Sequence, residues 1–355
     1  TVALNGGNDA YILDTPAAAV TLDGGSGNDF LQMGFQRTNG VVIDFGTGEV
    51  IERGTLNLLA NFTSFESGRG SQFDDEFYGA DIEGDGYFIE ASLGNDNYYM
   101  HGDSYVRVSY RFFFEQTGVA GGIDANLGTG IVIKPGAGGT DRLFGIDTLQ
   151  GTNFDDVFYG SVFNNEFEGM DGADTINGSG GYDRVNYSAE LGSRGVFVNL
   201  SDSSANGAVT GSGGVTVAAH AALDSYGNTD SLISIERIVG TDLNDRIIGD
   251  STDNRFWGED GNDRLYGHEG HDRLYGGDGN DFLYGGDGDD FIAAGEGHDF
   301  INAGSGNFDF IAGSAGNDTI DGDAGYDMYA FDNYDRNRDA NGDGNSIEHG
   351  GDKIT

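Results

Sequence analysis

The chain of 355 residues has no Cys, only two Pro and two Lys, and no long apolar run. Without Cys thiolates, neither a disulfide framework nor a cysteine zinc site can form. No stretch approaches the roughly 18 apolar residues of a membrane-spanning helix. Collagen is excluded because Pro is scarce and Gly does not recur at every third position. The 17 basic residues face 60 acidic ones, and a net charge of −43 makes nucleic-acid phosphate a poor partner.

What the chain has in excess is Gly and Asp. There are 64 Gly, and 45 of the 60 acidic residues are Asp. The hydrophobic content of 37% and the aromatic content of 12% are too high for a chain that stays disordered. The chain begins at Thr1 without an apolar signal segment, so either a leader has been removed or the sequence is a piece of a longer protein.

A nine-residue repeat explains the excess of Gly and Asp. The unit GEDGNDRLY at 258–266 is followed without a gap by GHEGHDRLY, GGDGNDFLY, GGDGDDFIA and AGEGHDFIN. The register holds over 240–330 with one single-residue insertion. The sixth position is Asp in seven units, and turn propensity alone does not explain this fixed phase. These residues are Asp263, Asp272, Asp281, Asp290, Asp299, Asp318 and Asp327.

Smaller blocks of the same unit occur upstream and alternate with three spacers that resemble one another. Each spacer ends in an apolar residue and an acidic residue shortly before the Gly that opens the next block. The sequence therefore predicts cassettes of block and spacer rather than unrelated domains. The predicted segments are 1–69, 70–150 and 151–239, each a block with its spacer, then an uninterrupted roll at 240–330 and a capping segment at 331–355.

The repeat predicts an all-β fold. The first six positions of each unit hold residues that are typical of turns. The last three form a short strand with one inward apolar residue at position eight. Two strands and two turns make an 18-residue coil, and successive coils stack as parallel strands. The predicted core residues are Leu265, Leu274, Leu283, Ile292, Ile301, Ile311, Ile320 and Tyr329.

Stacked coils also predict a use for the Asp residues. Turns 18 residues apart lie on one edge, so Asp263, Asp281 and Asp299 form one column, and Asp272 and Asp290 form the other. Two stacked turns offer carboxylates and backbone carbonyls, which suit the six to eight oxygens that Ca²⁺ prefers better than the tight octahedron of Mg²⁺. The sequence therefore predicts several Ca²⁺ ions that stabilise a thin-cored, self-repelling chain.

The unit GGDGNDFLY at 276–284 satisfies every position of GGxGxDxUx, so the chain resembles the RTX (haemolysin-type) calcium-binding proteins. The resemblance implies a right-handed parallel β-roll, or β-solenoid, with calcium-binding turns, here interrupted by longer spacer strands. It also implies a bacterial protein that crosses a type I secretion system unfolded and folds in extracellular calcium. A secreted or cell-surface location follows from the same resemblance.

Metal ligands are predicted at the sixth position of each unit and in a DxDxDG-like loop near the end, for which a plain acidic turn is the alternative. Asn254 and Asn165 replace Asp in two units, so weaker sites are expected there, and Phe308 displaces Asp309 by one position, so a bulged turn is expected. The predicted ligands are Asp29, Asp75, Asp96, Asp156, Asp174, Asp183, Asp245, Asp263, Asp272, Asp281, Asp290, Asp299, Asp309, Asp318, Asp327, Asp339, Asn341 and Asp343.

Three functional classes remain open. The leading hypothesis is a structural or adhesive region of a large secreted protein. The second is a carbohydrate-binding accessory module, because Arg and aromatic residues recur at the outward positions seven and nine and would suit an acidic polysaccharide. Packing of these ladders on the spacers, or offset of local Asp charge, is the alternative. The residues of this candidate surface are Arg246, Arg255, Arg264, Arg273, Trp257, Tyr266, Tyr275 and Tyr284.

The third hypothesis is a β-helical lyase or epimerase. The sequence has no HExxH, no GxSxG and no Cys nucleophile, and its acidic pairs fall in the repeat phase. No catalytic residue is therefore predicted. The expected partners are calcium and either extracellular polysaccharide or cell-surface components, with self-association left open.

Overall fold

The computed structural model describes residues 2–4, 6–14, 19–34, 37–55, 57–79, 87–100, 106–113, 118, 120–201, 208–210, 216–330 and 353–354. The elements named within these residues are 37 β-strands, as the all-β prediction requires. Within the described part of the chain, no helix has the length and apolar character needed to cross a bilayer.

The chain forms two compact units: unit 1 is Thr1–Thr175 with Ser179–Gly181, and unit 2 is Ile176–Gly178 with Tyr182–Thr355. Unit 1 contains β1 (Val2–Ala3), β2 (Ala10–Leu13), β3 (Val20–Asp23), β4 (Phe30–Met33), β5 (Val41–Asp44), β6 (Glu49–Glu52), β7 (Leu58–Thr63), β8 (Ser67–Arg69), β9 (Glu76–Tyr78), β10 (Tyr87–Glu90), β11 (Asn97–Tyr99), β12 (Val106–Ser109), β13 (Asp124–Asn126), β14 (Ile131–Ile133), β15 (Thr140–Phe144), β16 (Thr148–Gln150), β17 (Val157–Tyr159) and β18 (Glu166–Glu168).

The change of unit falls within β19 (Thr175–Asn177). Unit 2 contains β20 (Arg184–Asn186), β21 (Phe197–Asn199), β22 (Ala208–Thr210), β23 (Thr216–Ala218), β24 (Ala221–Leu223), β25 (Thr229–Ile233), β26 (Arg237–Val239), β27 (Arg246–Ile248), β28 (Arg255–Asp260), β29 (Arg264–Glu269), β30 (Arg273–Asp278), β31 (Phe282–Asp287), β32 (Phe291–Gly297), β33 (Phe300–Ser305), β34 (Phe310–Gly316), β35 (Thr319–Asp321), β36 (Met328–Ala330) and β37 (Lys353–Ile354).

The repeat block of unit 2 is a parallel β-roll. Strands β27, β29, β31, β33, β35 and β37 pair in order in one sheet, and β26, β28, β30, β32, β34 and β36 pair in order in the other. Leu265 pairs with Leu283, and Leu274 pairs with Ile292, so partners lie 18 residues apart. The predicted coil length is confirmed.

The core of the roll consists of the position-eight side chains of both sheets. Leu265, Leu274, Leu283, Ile292, Ile301, Ile311 and Ile320 are fully buried, each at 0% exposure. Burial of each such side chain contributes roughly 1.5–3 kcal/mol. Tyr329, the eighth predicted core residue, is only half-buried in β36.

The strands of the roll are longer than the sequence predicts. A three-residue strand was expected, but β28 to β34 each run for six or seven residues into the Gly-rich positions. In these extensions Glu259 pairs with Gly277, and His268 pairs with Gly286. Gly without Cβ lets neighbouring backbones approach closely enough to pair, so part of the expected turn is strand.

The spacers are antiparallel insertions in one sheet of each unit. In unit 1, β5, β6 and β7 form an antiparallel run, as do β13, β14 and β15. In unit 2, β21, β24 and β25 do the same. The first strand of each run pairs in parallel with a block strand, as β5 does with β9, β13 with β17 and β21 with β27. Each spacer therefore adds antiparallel strands to one sheet before the chain re-enters the roll. The cassette boundaries remain a prediction.

Candidate metal sites

The sixth-position Asp side chains form hydrogen-bonded ladders along the turns. The backbone N–H of Asp263 donates to Oδ1 of Asp281 at 2.8 Å, and the N–H of Asp281 donates to Oδ1 of Asp299 at 2.8 Å. The N–H of Asp272 donates to Oδ1 of Asp290 at 2.8 Å on the other edge. Each carboxylate thus has one oxygen held by the preceding coil, and the two columns are those expected.

The second oxygen of these carboxylates is buried and has no hydrogen-bond donor. This holds for Oδ2 of Asp29, Asp263, Asp272, Asp281, Asp290, Asp299 and Asp309. The exposure of these residues does not exceed 3%. A buried carboxylate oxygen without a donor is unfavourable unless a cation or a proton compensates it.

Burial in the turns favours the protonated form when no cation is present. Burial, together with neighbouring carboxylates, raises the pKa of Asp263 and of Asp272 to about 8. The same cause raises the pKa of Asp290 and of Asp299 to about 7 and that of Asp281 to about 6. A divalent cation would compete with these protons for the same oxygens.

The Gly at position one leaves space beside the donor-free oxygen. A Cβ on Gly258 would collide with Oδ2 of Asp263 and lie 2.5 Å from the carbonyl oxygen of Gly276. A Cβ on Gly267 would meet Asp272 and Gly285 in the same way. Carboxylate and carbonyl oxygens therefore converge where a side chain would otherwise stand.

The donor set fits Ca²⁺. Among the described residues no three Asp, Glu or His side chains converge into a metal-holding cluster, so carboxylates would act together with backbone carbonyls. All of these donors are oxygens, which hard divalent cations prefer, and a flexible turn suits the larger of them.

Four predicted ligands obtain donors from the chain itself. Asp75, Asp156 and Asp245 each accept a hydrogen bond from the hydroxyl of a Ser or Thr four residues earlier. Asp96 lies beside Lys134, whose Nζ is 3.1 Å from its Oδ2 and 2.5 Å from Oδ1 of Asp141. The nine-residue pattern does not predict the hydroxyl donors or Lys134. The rarity of Lys, with two in the whole chain, was the available signal.

The remaining predicted ligands have varied surroundings. Asp174 accepts the N–H of Asp156 at 2.8 Å, and Asp309 accepts the N–H of Asp290 at 2.8 Å despite the insertion at Phe308. Asp327 accepts the N–H of Asp309 at 3.3 Å. The other predicted ligands are placed as follows: Asp183 and Asp318 are buried, and Asp339, Asn341 and Asp343 lie outside the described residues.

The candidate ligand surface divides between the two sheets of unit 2. Tyr266 and Tyr284 stack with ring centroids 5.0 Å apart on one sheet, and Trp257 and Tyr275 stack at 5.6 Å on the other. Arg246 and Arg264 lie on the first sheet, and Arg255 and Arg273 on the second.

Guanidinium groups cover some of these rings. Arg246 lies 5.4 Å from the ring centroid of Tyr266, and Arg255 lies 4.6 Å from that of Trp257. The Arg and aromatic ladders therefore pack partly on each other.

A pocket of about 580 Å³ opens beside the first sheet. Its lining includes Arg194, Arg246, Arg264, Phe197 and Phe282, with Asp245 as the one acidic residue. Three cations thus meet in one place on a strongly acidic chain.

A second pocket, of about 430 Å³, lies beside the other sheet. It contains Arg255 and Arg273 together with four acidic residues: Asp253, Asp272, Asp289 and Asp290. Basic residues therefore outnumber acidic ones in the first pocket, and acidic residues outnumber Arg in the second.

Comparison with known proteins agrees with the repeat. The family model described as RTX calcium-binding nonapeptide repeat (4 copies) matches residues 19–32, 142–162, 150–185, 239–274, 275–307 and 303–329. No curated protein matches the chain. The repeats indicate a calcium-binding region of a bacterial protein. The chain therefore carries the RTX calcium-binding nonapeptide repeat at several places along its length, on a β-roll that places the Asp residues of the repeat in register.

Proposed function

We propose that the chain is a calcium-binding structural or adhesive region of a large secreted or cell-surface bacterial protein, and that it folds when it meets Ca²⁺ outside the cell after type I secretion. The observation that supports this proposal is the row of buried carboxylate oxygens without donors, repeated along both edges of the roll. Several ions would bind, one set of turns after another. The proposal includes no catalytic step, and the RTX repeat family is typically structural.

Calcium titration followed by far-ultraviolet circular dichroism tests the proposal. We expect a cooperative gain of β-sheet signal at sub-millimolar to millimolar Ca²⁺. A chelator should reverse the gain, and Mg²⁺ should not reproduce it. A fully ordered chain in chelator, with no response to added Ca²⁺, would contradict the proposal.

A carbohydrate-binding accessory module of a secreted polysaccharide-active enzyme is the second candidate. The observation that favours it is the pocket that joins Arg194, Arg246 and Arg264 with two Phe rings. Such a lining complements the carboxylates and ring faces of an acidic polysaccharide.

Binding of a polyuronate oligomer at low salt tests this candidate. Arg246→Ala with Arg264→Ala should abolish binding. The matched pair Arg255→Ala with Arg273→Ala, in the acid-rich pocket, should leave binding unchanged. Absence of binding by the wild-type chain in calcium would remove the candidate.

A further inference from the structure

We infer that two kinds of turn in the chain differ in their need for metal: the glycine-type turns bind calcium, and the hydroxyl-type turns are caps that need no metal. A glycine-type turn has Gly at position four of the repeat with positive φ. A hydroxyl-type turn has Phe or Leu at position four and Ser or Thr at position two. The inference rests on the proposed function and names which of its carboxylates hold the ion.

The hydroxyl-type turns satisfy both carboxylate oxygens without an ion. In the turn that ends at Asp245, Thr241 donates its N–H to Oδ2 at 2.6 Å and its hydroxyl to Oδ1 at 2.9 Å. The N–H of Val196 donates to Oδ1 at 2.6 Å. Three donors surround this carboxylate, so no oxygen is left that requires a cation.

The same three donors recur in unit 1. Asp75 accepts the N–H and the hydroxyl of Ser71 at 2.6 and 2.9 Å, and the N–H of Val41 at 2.7 Å. The third example is Asp156, which accepts the N–H and the hydroxyl of Thr152 at 2.7 and 3.0 Å and the N–H of Ile123 at 2.6 Å. Each of these three turns is the first after a spacer, so the block that follows each spacer begins with a cap that the chain closes itself.

Six glycine-type turns lack these donors. Position four is Gly with φ between 129° and 150° in the turns of six Asp residues, and Oδ2 of each of these residues has no donor. The residues are Asp29, Asp263, Asp272, Asp281, Asp290 and Asp299. The left-handed region is open to Gly at little cost, which explains why position four separates the two kinds of turn.

Natural Asn residues fall in turns without Gly at position four. Asn254 follows Thr252 at position four, and its Oδ1 accepts the N–H of Asp250 at 2.9 Å. Asn165 follows Phe163, and its Oδ1 accepts the N–H of Ser161 at 2.6 Å. An uncharged amide replaces the carboxylate in these turns, which is what a turn that holds no cation allows.

Lys134 shows that a cation fits the glycine-type turn. The turn of Asp96 has Gly94 at position four with φ of 110°. The ammonium group of Lys134, which is 2% exposed, contacts Asp96 and also donates to the carbonyl of Ser92 at 2.7 Å. The chain thus supplies at this turn the positive charge that the other glycine-type turns would take from solution.

Two variants with the same substitution at position six separate the two kinds of turn. Asp245→Asn changes a hydroxyl-type turn, and Asp263→Asn changes the glycine-type turn one coil later. Isothermal titration calorimetry of the full chain counts the bound Ca²⁺. We expect Asp245→Asn to keep the wild-type number and Asp263→Asn to lower it by one or two ions.

A second pair covers the case in which a variant does not fold: Asp156→Asn for the hydroxyl type and Asp281→Asn for the glycine type. Equal loss of ions in both members of a pair, or loss only in the hydroxyl-type member, overturns the inference. A wild-type chain that binds no Ca²⁺ overturns the proposed function itself, and that result is visible before any variant is compared.

Discussion

Two buried spacer residues, Lys134 and Glu190, have opposite electrostatic surroundings. Burial lowers the pKa of Lys134, but Asp141 and Asp96 raise it, and the net pKa lies above its usual value. Glu190 has no such partner: Oε2 accepts the N–H of Ser225 at 3.0 Å, and Oε1 has no donor. Burial raises the pKa of Glu190 to about 8, with Asp224 adding to the increase. Glu190 therefore destabilises the fold when it is ionised.

Glu190→Gln should stabilise the protein above pH 8 and have little effect at pH 4. The folded pKa of about 8 exceeds the usual 4.5, so the contribution of Glu190 to stability is greatest below pH 4.5 and falls as the pH rises to about 8. The difference between variant and wild type should reach on the order of 4 kcal/mol at high pH. Thermal unfolding in saturating Ca²⁺ from pH 4 to pH 9 measures it. The exposed Glu269→Gln serves as control, and parallel pH profiles for wild type and Glu190→Gln would contradict the prediction.

At the scale of turns and strands, close stacking depends on Gly at position four. Gly279 has φ of 145°, and a Cβ placed on it would overlap the carbonyl oxygen of Gly261 in the coil below. The same overlap would occur between Gly288 and Gly270. Neither the left-handed backbone nor the coil spacing can accommodate a side chain there.

Gly279→Ala should therefore separate two coils and lower the melting temperature of the calcium-loaded protein. We expect a loss of roughly 1–3 kcal/mol from the strained backbone alone, and more from the overlap. Differential scanning calorimetry in calcium measures the loss. Gly180→Ala is the matched control, because its nearest neighbours are 3.8 Å from the new Cβ and its change should stay within about 0.5 kcal/mol. Equal melting temperatures for the two variants would show that coil spacing is not limiting.

The roll could be predicted from the sequence because its contacts repeat at a fixed separation. The phase of Leu265 and Leu283 determines both the core and the register. The antiparallel pairing of the spacer strands could not be predicted in this way, because it does not follow the nine-residue period of the blocks. The position-six carboxylates were visible for the same periodic reason. Lys134 was not, since its partner Asp96 lies 38 residues away and nothing local links them.

At the scale of the whole molecule, the net charge of −43 opposes compaction. Exposed carboxylates and buried carboxylates respond differently to salt. Exposed carboxylates are screened over roughly 3 Å at 1 M salt. The buried Oδ2 atoms of Asp263 and its equivalents are shielded from bulk ions and require a cation at contact distance. Calcium should therefore act by coordination rather than by general screening.

We expect 1 M NaCl in chelator to leave the calcium-free chain unfolded, whereas millimolar Ca²⁺ folds it. The fluorescence of Trp257, the single Trp, measures the difference, because its ring stacks on Tyr275 in the folded roll. Full recovery of the folded signal in NaCl alone would show that screening suffices.

The N–H groups of Val41, Ile123 and Val196 belong to the spacers, yet they complete the first carboxylate of the following block. One backbone N–H group thus links each spacer to the block that follows it. A truncation between residues 239 and 240 would remove Val196. The Asp245 carboxylate, at the new end of the roll, would then lack this donor. Fragments intended to stay folded should begin upstream of a spacer and should include both that spacer and the block that follows it.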